Sequence, residues 1–252
     1  YLFPTAIVQN GGSLYNTENY RAEWDSASNL PAYKNAIAAI RGLMKHTPAL
    51  AEYAKGSTAP LNDFLNNRAL FYVDLPWNLN SIVSAYAARN SISVETAEAD
   101  CIGGTSMAGW FAMDDNSANK DKIFGEAHCF AMSRTVTDIN KKAAICEFMK
   151  WFTQTASVGV AWGEAGHVSV CQLVTDSEAY SQNRIVSNYL QKFYSGIDNF
   201  VFSGVTPYYS DMIGQIGALC AATINKDNDS GDEAAIRSAM GEFNAVIDFI
   251  NM

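Results

Sequence analysis

Strand-forming runs are scarce in this sequence and stand far apart. Ala69–Asp74 (ALFYVD) and Ala127–Ser133 (AHCFAMS) are apolar and rich in aromatic or branched residues, and Ile92–Glu95 is a weaker third. Elsewhere apolar residues recur at spacings of three and four, which is helical periodicity. Leu30-Pro31 opens one such stretch, with Ala36, Ile37, Ile40, Leu43 and Met44 on its face and Thr47-Pro48 as its stop. A short helix is predicted over Pro60–Asn66 and another over Asn78–Ala88, the second carrying Leu79, Ile82, Val83 and Tyr86. Thr137-Asp138 caps the clearest helix, whose face is Ala144, Ile145, Phe148, Met149 and Phe152. Further helices are predicted over 176–194, 208–225 and 232–250, the last with Ile236, Met240, Phe243, Ile247 and Ile250 in line. The pattern is that of a helix-rich α/β chain with too few strands for a complete doubly wound sheet. No internal repeat is visible.

Hydrophobic residues make up 48% of the 252, enough to build a sizeable core. The formal charge of -9 argues against nucleic acid and against an anionic membrane surface, both of which need clustered Lys and Arg. No apolar run is long enough to span a bilayer. The abrupt start at Tyr1-Leu2-Phe3-Pro4, without Met, is expected of a processed or cropped chain. The five cysteines are widely spaced and form no C-x-x-C pair, so most are expected as small buried hydrophobes.

Motifs for catalysis are missing. No G-x-S-x-G elbow occurs, and His128 and Cys129, as neighbours on a strand, would point to opposite faces. His46, His128 and His167 show no i,i+4 pairing. The acidic run Asp227–Asp232 puts glycine at the wrong place for a calcium loop and is expected as a polar turn. Gly11-Gly12 and Gly103-Gly104 lack the spacing and the lysine of a phosphate cradle. The expectation is a protein that is not an enzyme, with no cofactor and no bound metal. Carboxylates are plentiful enough to keep a carbohydrate-active enzyme open as an alternative.

Aromatic residues at breaks are more informative. Trp77 follows a strand-like run behind a proline, Trp162 falls in a glycine-rich segment predicted as a turn, and Trp110 and Tyr208-Tyr209 sit near element ends. Sugars present C–H faces that stack on such rings, while polar groups fix their hydroxyls. A tryptophan at a strand end is equally able to be core.

Four stretches carry a resemblance to a known family. They are Pro4–Tyr15 with its QNGGSLY turn, Phe64–Trp77, Ala127–Phe152 followed by Trp162–Val170, and the final helix pair. Their order resembles the extracellular solute-binding proteins of ABC importers, in the sugar-binding family that includes maltose-binding protein. Asn67, Leu75 and Ser169 depart from the family pattern, standing where glycine, glycine and proline are usual.

The resemblance implies a periplasmic-binding-protein-like two-lobe fold that closes on ligand by a hinge. Residues 1–126 would belong to the C-terminal lobe, 127–178 would return to the N-terminal lobe, and 179–252 would complete the C-terminal lobe. Because family chains carry a long stretch before the point matching Tyr1, an incomplete N-terminal lobe and a longer parent protein are expected. The implied ligand set is Asn10, Asp74, Trp77, Glu126, His128, Trp162, Tyr208 and Tyr209, with Glu126 or His128 bonding a hydroxyl unless His128 is a core residue. The implied function is extracytoplasmic capture of a sugar or oligosaccharide, by a periplasmic protein or cell-surface lipoprotein, for delivery to ABC permease subunits. A ligand-sensing or adhesion domain on the same fold is the remaining alternative.

Overall fold

The computed structural model describes residues 2–46, 58–193, 197–202, 206–226 and 228–250. In chain order its helices are α1 (Leu2–Gln9), α2 (Asn29–Met44), α3 (Ala59–Leu65), α4 (Leu79–Asn90), α5 (Val94–Thr96), α6 (Ile139–Gln154) and α7 (Ala156–Glu164). Then follow α8 (Gln172–Thr175), α9 (Glu178–Ser181), α10 (Gln191–Phe193), α11 (Tyr209–Thr223) and α12 (Asp232–Ile250). Two three-residue strands, β1 (Ile123–Gly125) and β2 (Phe200–Phe202), pair in parallel with Ile123 opposite Phe200. They form the whole sheet among the described residues. The chain is therefore helix-rich with a minimal sheet. The proline stop at Thr47-Pro48 lies outside the described residues.

Two compact units share the chain. The first comprises Tyr1–Pro48, Met107–Ala127 and Gly196–Met252, and the second Ala49–Ser106 and His128–Ser195. In the first unit α1 is apolar almost all round and buries seven of its eight residues, so it runs through the core rather than over it. The same core cluster holds Ile37 from α2, Met212 and Ile216 from α11, and Ile236 and Phe243 from α12. Trp24 is fully buried, stacks on Tyr33 and Phe243 at 5.3 and 6.2 Å, and donates its indole N–H to the Leu14 carbonyl at 2.7 Å. At the end of α1, Gln9 and Asn10 tie down the loop after Met107. Gln9 donates to the Met107 carbonyl and accepts from Phe111 N–H, both at 2.8 Å.

The second unit is built on Leu79, Val83, Ala97, Val174, Val186 and Tyr189. Helix α7 lies close to its neighbours because two of its residues have no side chain. A Cβ on Gly159 would meet Val174 at 2.1 Å, and one on Gly163 would meet Val186 at 2.8 Å. The predicted turn around Trp162 is thus the end of a helix whose glycines serve packing.

Three predicted strands are absent from this unit. Ala69–Asp74 forms no ladder, and Leu70 and Phe71 are 84% and 68% exposed. Ala127–Ser133 is likewise unladdered and exposed from Ala127 through Ala131. Aromatic and branched content suits a strand, but a strand also needs a neighbouring strand to ladder with, and among the described residues neither segment forms a ladder. Ile92–Glu95 instead enters α5, with the Ser93 hydroxyl capping Thr96 N–H at 3.1 Å. The single helix predicted over 176–194 is broken by side-chain caps. Ser177 starts α9, and Asn183 accepts from both Ile185 and Val186 N–H at 3.0 and 3.1 Å.

Helix α6 forms as its sequence dictates, with the Asp138 carboxylate accepting from Asn140 and Lys141 N–H at 2.8 and 2.9 Å. Yet none of its 16 residues is buried. Phe148 and Trp151 stand half-exposed, and Phe130, Phe148 and Phe152 touch only edge to face or tilted. Trp151→Ala should therefore move the unfolding free energy by no more than about 0.5 kcal/mol, as measured by urea titration, because little area is withdrawn from water in this chain. The cysteines follow the same pattern. Cys101, Cys129 and Cys146 are exposed, and Cys171 and Cys220 half-buried, which corrects the expectation of buried thiols. Burial does push the Cys220 thiol up to about 11.

Candidate functional site

The candidate site lies wholly in the second unit and centres on a histidine. His167 follows Gly166 in the turn that ends α7. Gly166 has φ +86, in the left-handed region that favours glycine, and a Cβ there would fall 2.2 Å from the Pro76 carbonyl oxygen. The backbone of this turn consequently presses onto Pro76-Trp77. His167 stacks on Trp77 with ring centres 5.5 Å apart and planes at 19°, and on Trp162 at 4.3 Å and 16°. His128 meets the group edgewise, 5.1 Å from His167 and 6.0 Å from Trp162. Phe152 of α6 adds an edge against Trp162 at 5.9 Å.

Polar contacts hold both sides of the stack in place. Before Trp77, the Asp74 carboxylate accepts from Leu75 N–H at 2.7 Å and from the Asn78 amide at 2.9 Å, fixing the turn that carries the indole. Burial, with the Asp74 carboxylate as a second cause, raises the Tyr72 phenol to about 12. On the other side, Asn80 donates to the Glu164 carbonyl at the end of α7 at 2.7 Å and accepts from Arg184 at 3.3 Å. Arg184 in turn pairs with the buried Glu98 carboxylate. This chain of contacts anchors the last turn of α7 immediately before Gly166.

The rings themselves are polar and unengaged. Neither the Trp77 and Trp162 indole N–H groups nor the ring nitrogens of His128 and His167 hydrogen-bond to any described residue. Trp24 shows the contrast, since its indole is fully buried and its N–H is satisfied. Trp77 is 42% exposed, Trp162 and His167 are half-buried, and His128 is exposed. Partial burial and the neighbouring His128 hold the His167 imidazole below its ordinary protonation range, so it is neutral near pH 7. The arrangement offers flat apolar faces and several free donors and acceptors within a few ångströms.

Of the eight residues implied by resemblance, the fold therefore gathers Trp77, Trp162 and His128, and gives Asp74 a positioning role beside Trp77. The other four belong to the first unit. Asn10 uses its amide internally, donating to the Ala6 and Phe111 carbonyls and accepting from Met113 N–H. Glu126 is exposed directly after β1. Tyr208 is buried at the start of α11, with its ring 6.1 Å from Tyr20, and Tyr209 beside it is half-buried. His167 escapes a reading of the sequence because helical spacing does not link it to another histidine. The usable signal is the glycine before it, which lets a turn approach another backbone.

No family model, no curated protein and no solved structure matches this chain.

Proposed function

We propose that this chain binds a small carbohydrate and releases it unchanged. The observation that carries the reading is the Trp77–His167–Trp162 stack, with its exposed Trp77 ring and its unengaged N–H and imidazole groups. Pyranose rings stack on such faces through their C–H bonds, and each hydroxyl needs a donor or an acceptor to replace water. Neutral imidazole supplies both, and indole N–H supplies a donor. Among the described residues no hydroxyl or thiol hydrogen-bonds to either imidazole, so the groups at hand suit binding better than bond cleavage.

Delivery of the sugar to ABC permease subunits outside the cytoplasm is the proposed setting, and it rests on the sequence resemblance. Calorimetry with a panel of mono- and oligosaccharides tests the binding. Stoichiometric heat without product supports it, and product formation supports the enzyme alternative. Trp77→Ala is expected to weaken binding by about 1–3 kcal/mol while leaving the fold intact, because the ring is exposed. Silence across the whole panel would end the reading.

A further inference from the structure

We propose that His128 and His167 together form a site for a divalent transition-metal ion of the Ni2+, Cu2+ or Zn2+ type. Two observations bear on it. The ring centres are 5.1 Å apart with planes at 79°. Two imidazoles bound to one tetrahedral ion through nitrogens about 2.0–2.1 Å from it have centres roughly 5 Å apart, which is the separation this pair already has. No ring nitrogen of either residue is engaged by a described residue, so no internal hydrogen bond must break when an ion arrives.

The stack settles the geometry further. Trp77 and Trp162 both stack on His167, so the ring is held in place on this side of the pair. His128 is exposed and can turn to complete the pair. No cluster of three or more His, Cys, Asp or Glu suited to a metal occurs among the described residues. Two coordination positions therefore come from protein and the rest from water. Such a site is open to exchange, and its affinity is set by nitrogen donors, which favour borderline ions over Mg2+ or Ca2+.

Ion binding does not depend on sugar binding, and the two are tested apart: sugar titrations are run with chelator present, ion titrations without sugar. The test uses the whole chain without an affinity tag, titrated with Ni2+ by calorimetry. One ion per chain is expected, with at least a tenfold loss of affinity in His128→Ala and in His167→Ala. His46→Ala and Cys129→Ser should bind as the native chain does, since His46 lies in the other unit and Cys129 offers sulfur rather than imidazole. Because His128 is exposed, its variant is decisive even if His167→Ala disturbs the stack. Absence of saturable binding, binding that survives His128→Ala, or binding that disappears in Cys129→Ser would each overturn the site.

Discussion

Gly166→Ala is expected to cost the second unit stability and to abolish the stacked site in one step. The left-handed backbone angle alone costs an alanine about 1–2 kcal/mol. The new methyl would also stand 2.2 Å from the Pro76 oxygen and 2.6 Å from the Trp77 Cα, which are backbone atoms that cannot swing aside. To relieve the overlap the turn must lift away from Pro76-Trp77, and His167, the next residue, must leave the face of Trp77. Urea unfolding followed by tryptophan fluorescence should show a lower midpoint, and near-ultraviolet circular dichroism should lose intensity from the Trp77–His167–Trp162 group. Gly42→Ala is the matched control. Gly42 lies in α2 with nothing within 4 Å of an added Cβ, so alanine there should stabilise by about 0.5–1 kcal/mol. Equal stability of the Gly166 variant and the native chain would show that the approach to Pro76 is not maintained in solution.

The opposite signs expected at these two glycines show which parts of the fold could be read ahead of structure. Helices α2, α4, α6, α11 and α12 were legible within a residue or two, because their apolar faces and caps are local signals. Asp138 shows it well: a capping residue before a periodic run places a helix start whatever lies around it. Strands are not local in this sense. Phe71 and Val73, or Phe130, have side chains that suit a sheet, but pairing depends on a distant segment that no window of sequence contains. The ladder that does form joins Phe124 to Val201, and at three residues per strand it left no pattern to detect.

The site divides along the same line. Trp77 and Trp162 stood out as large aromatic residues beside proline and glycine, and His128 through resemblance. Their convergence depends on His167, which is 39 positions from His128 and is brought there by Gly166 and by the Asn80–Glu164 bond. Tyr208 illustrates the reverse case. An aromatic residue after Pro207 at a helix start is as readily core as platform, and here the ring is buried.

Asp232→Ala is expected to destabilise the first unit by about 3–5 kcal/mol, the usual penalty for stranding one half of a buried ion pair. Asp232 is 2% exposed, and both carboxylate oxygens accept from Arg41, at 2.9 and 3.0 Å. The same guanidinium donates to the Thr223 carbonyl at 2.9 and 3.3 Å. Three helices thus meet at one group, since Arg41 comes from α2, Thr223 ends α11 and Asp232 begins α12. Each charge also suits its helix end. The cation lies at the carbonyl end of α11, where backbone dipoles are negative, and the anion lies at the amide end of α12, where they are positive. Alanine at 232 removes the anion but leaves Arg41 largely out of water with one carbonyl for company. Arg41→Met combined with Asp232→Leu removes both charges and should recover part of the loss, because apolar side chains of similar size suit a buried position and no charge is stranded. Chemical denaturation of Arg41→Met, Asp232→Leu and the double variant measures the coupling. If Asp232→Ala cost less than about 1 kcal/mol, water would have to reach Arg41 freely in solution, and the three helix ends would owe their meeting to the apolar contacts of Ile37, Ile216 and Ile236 alone.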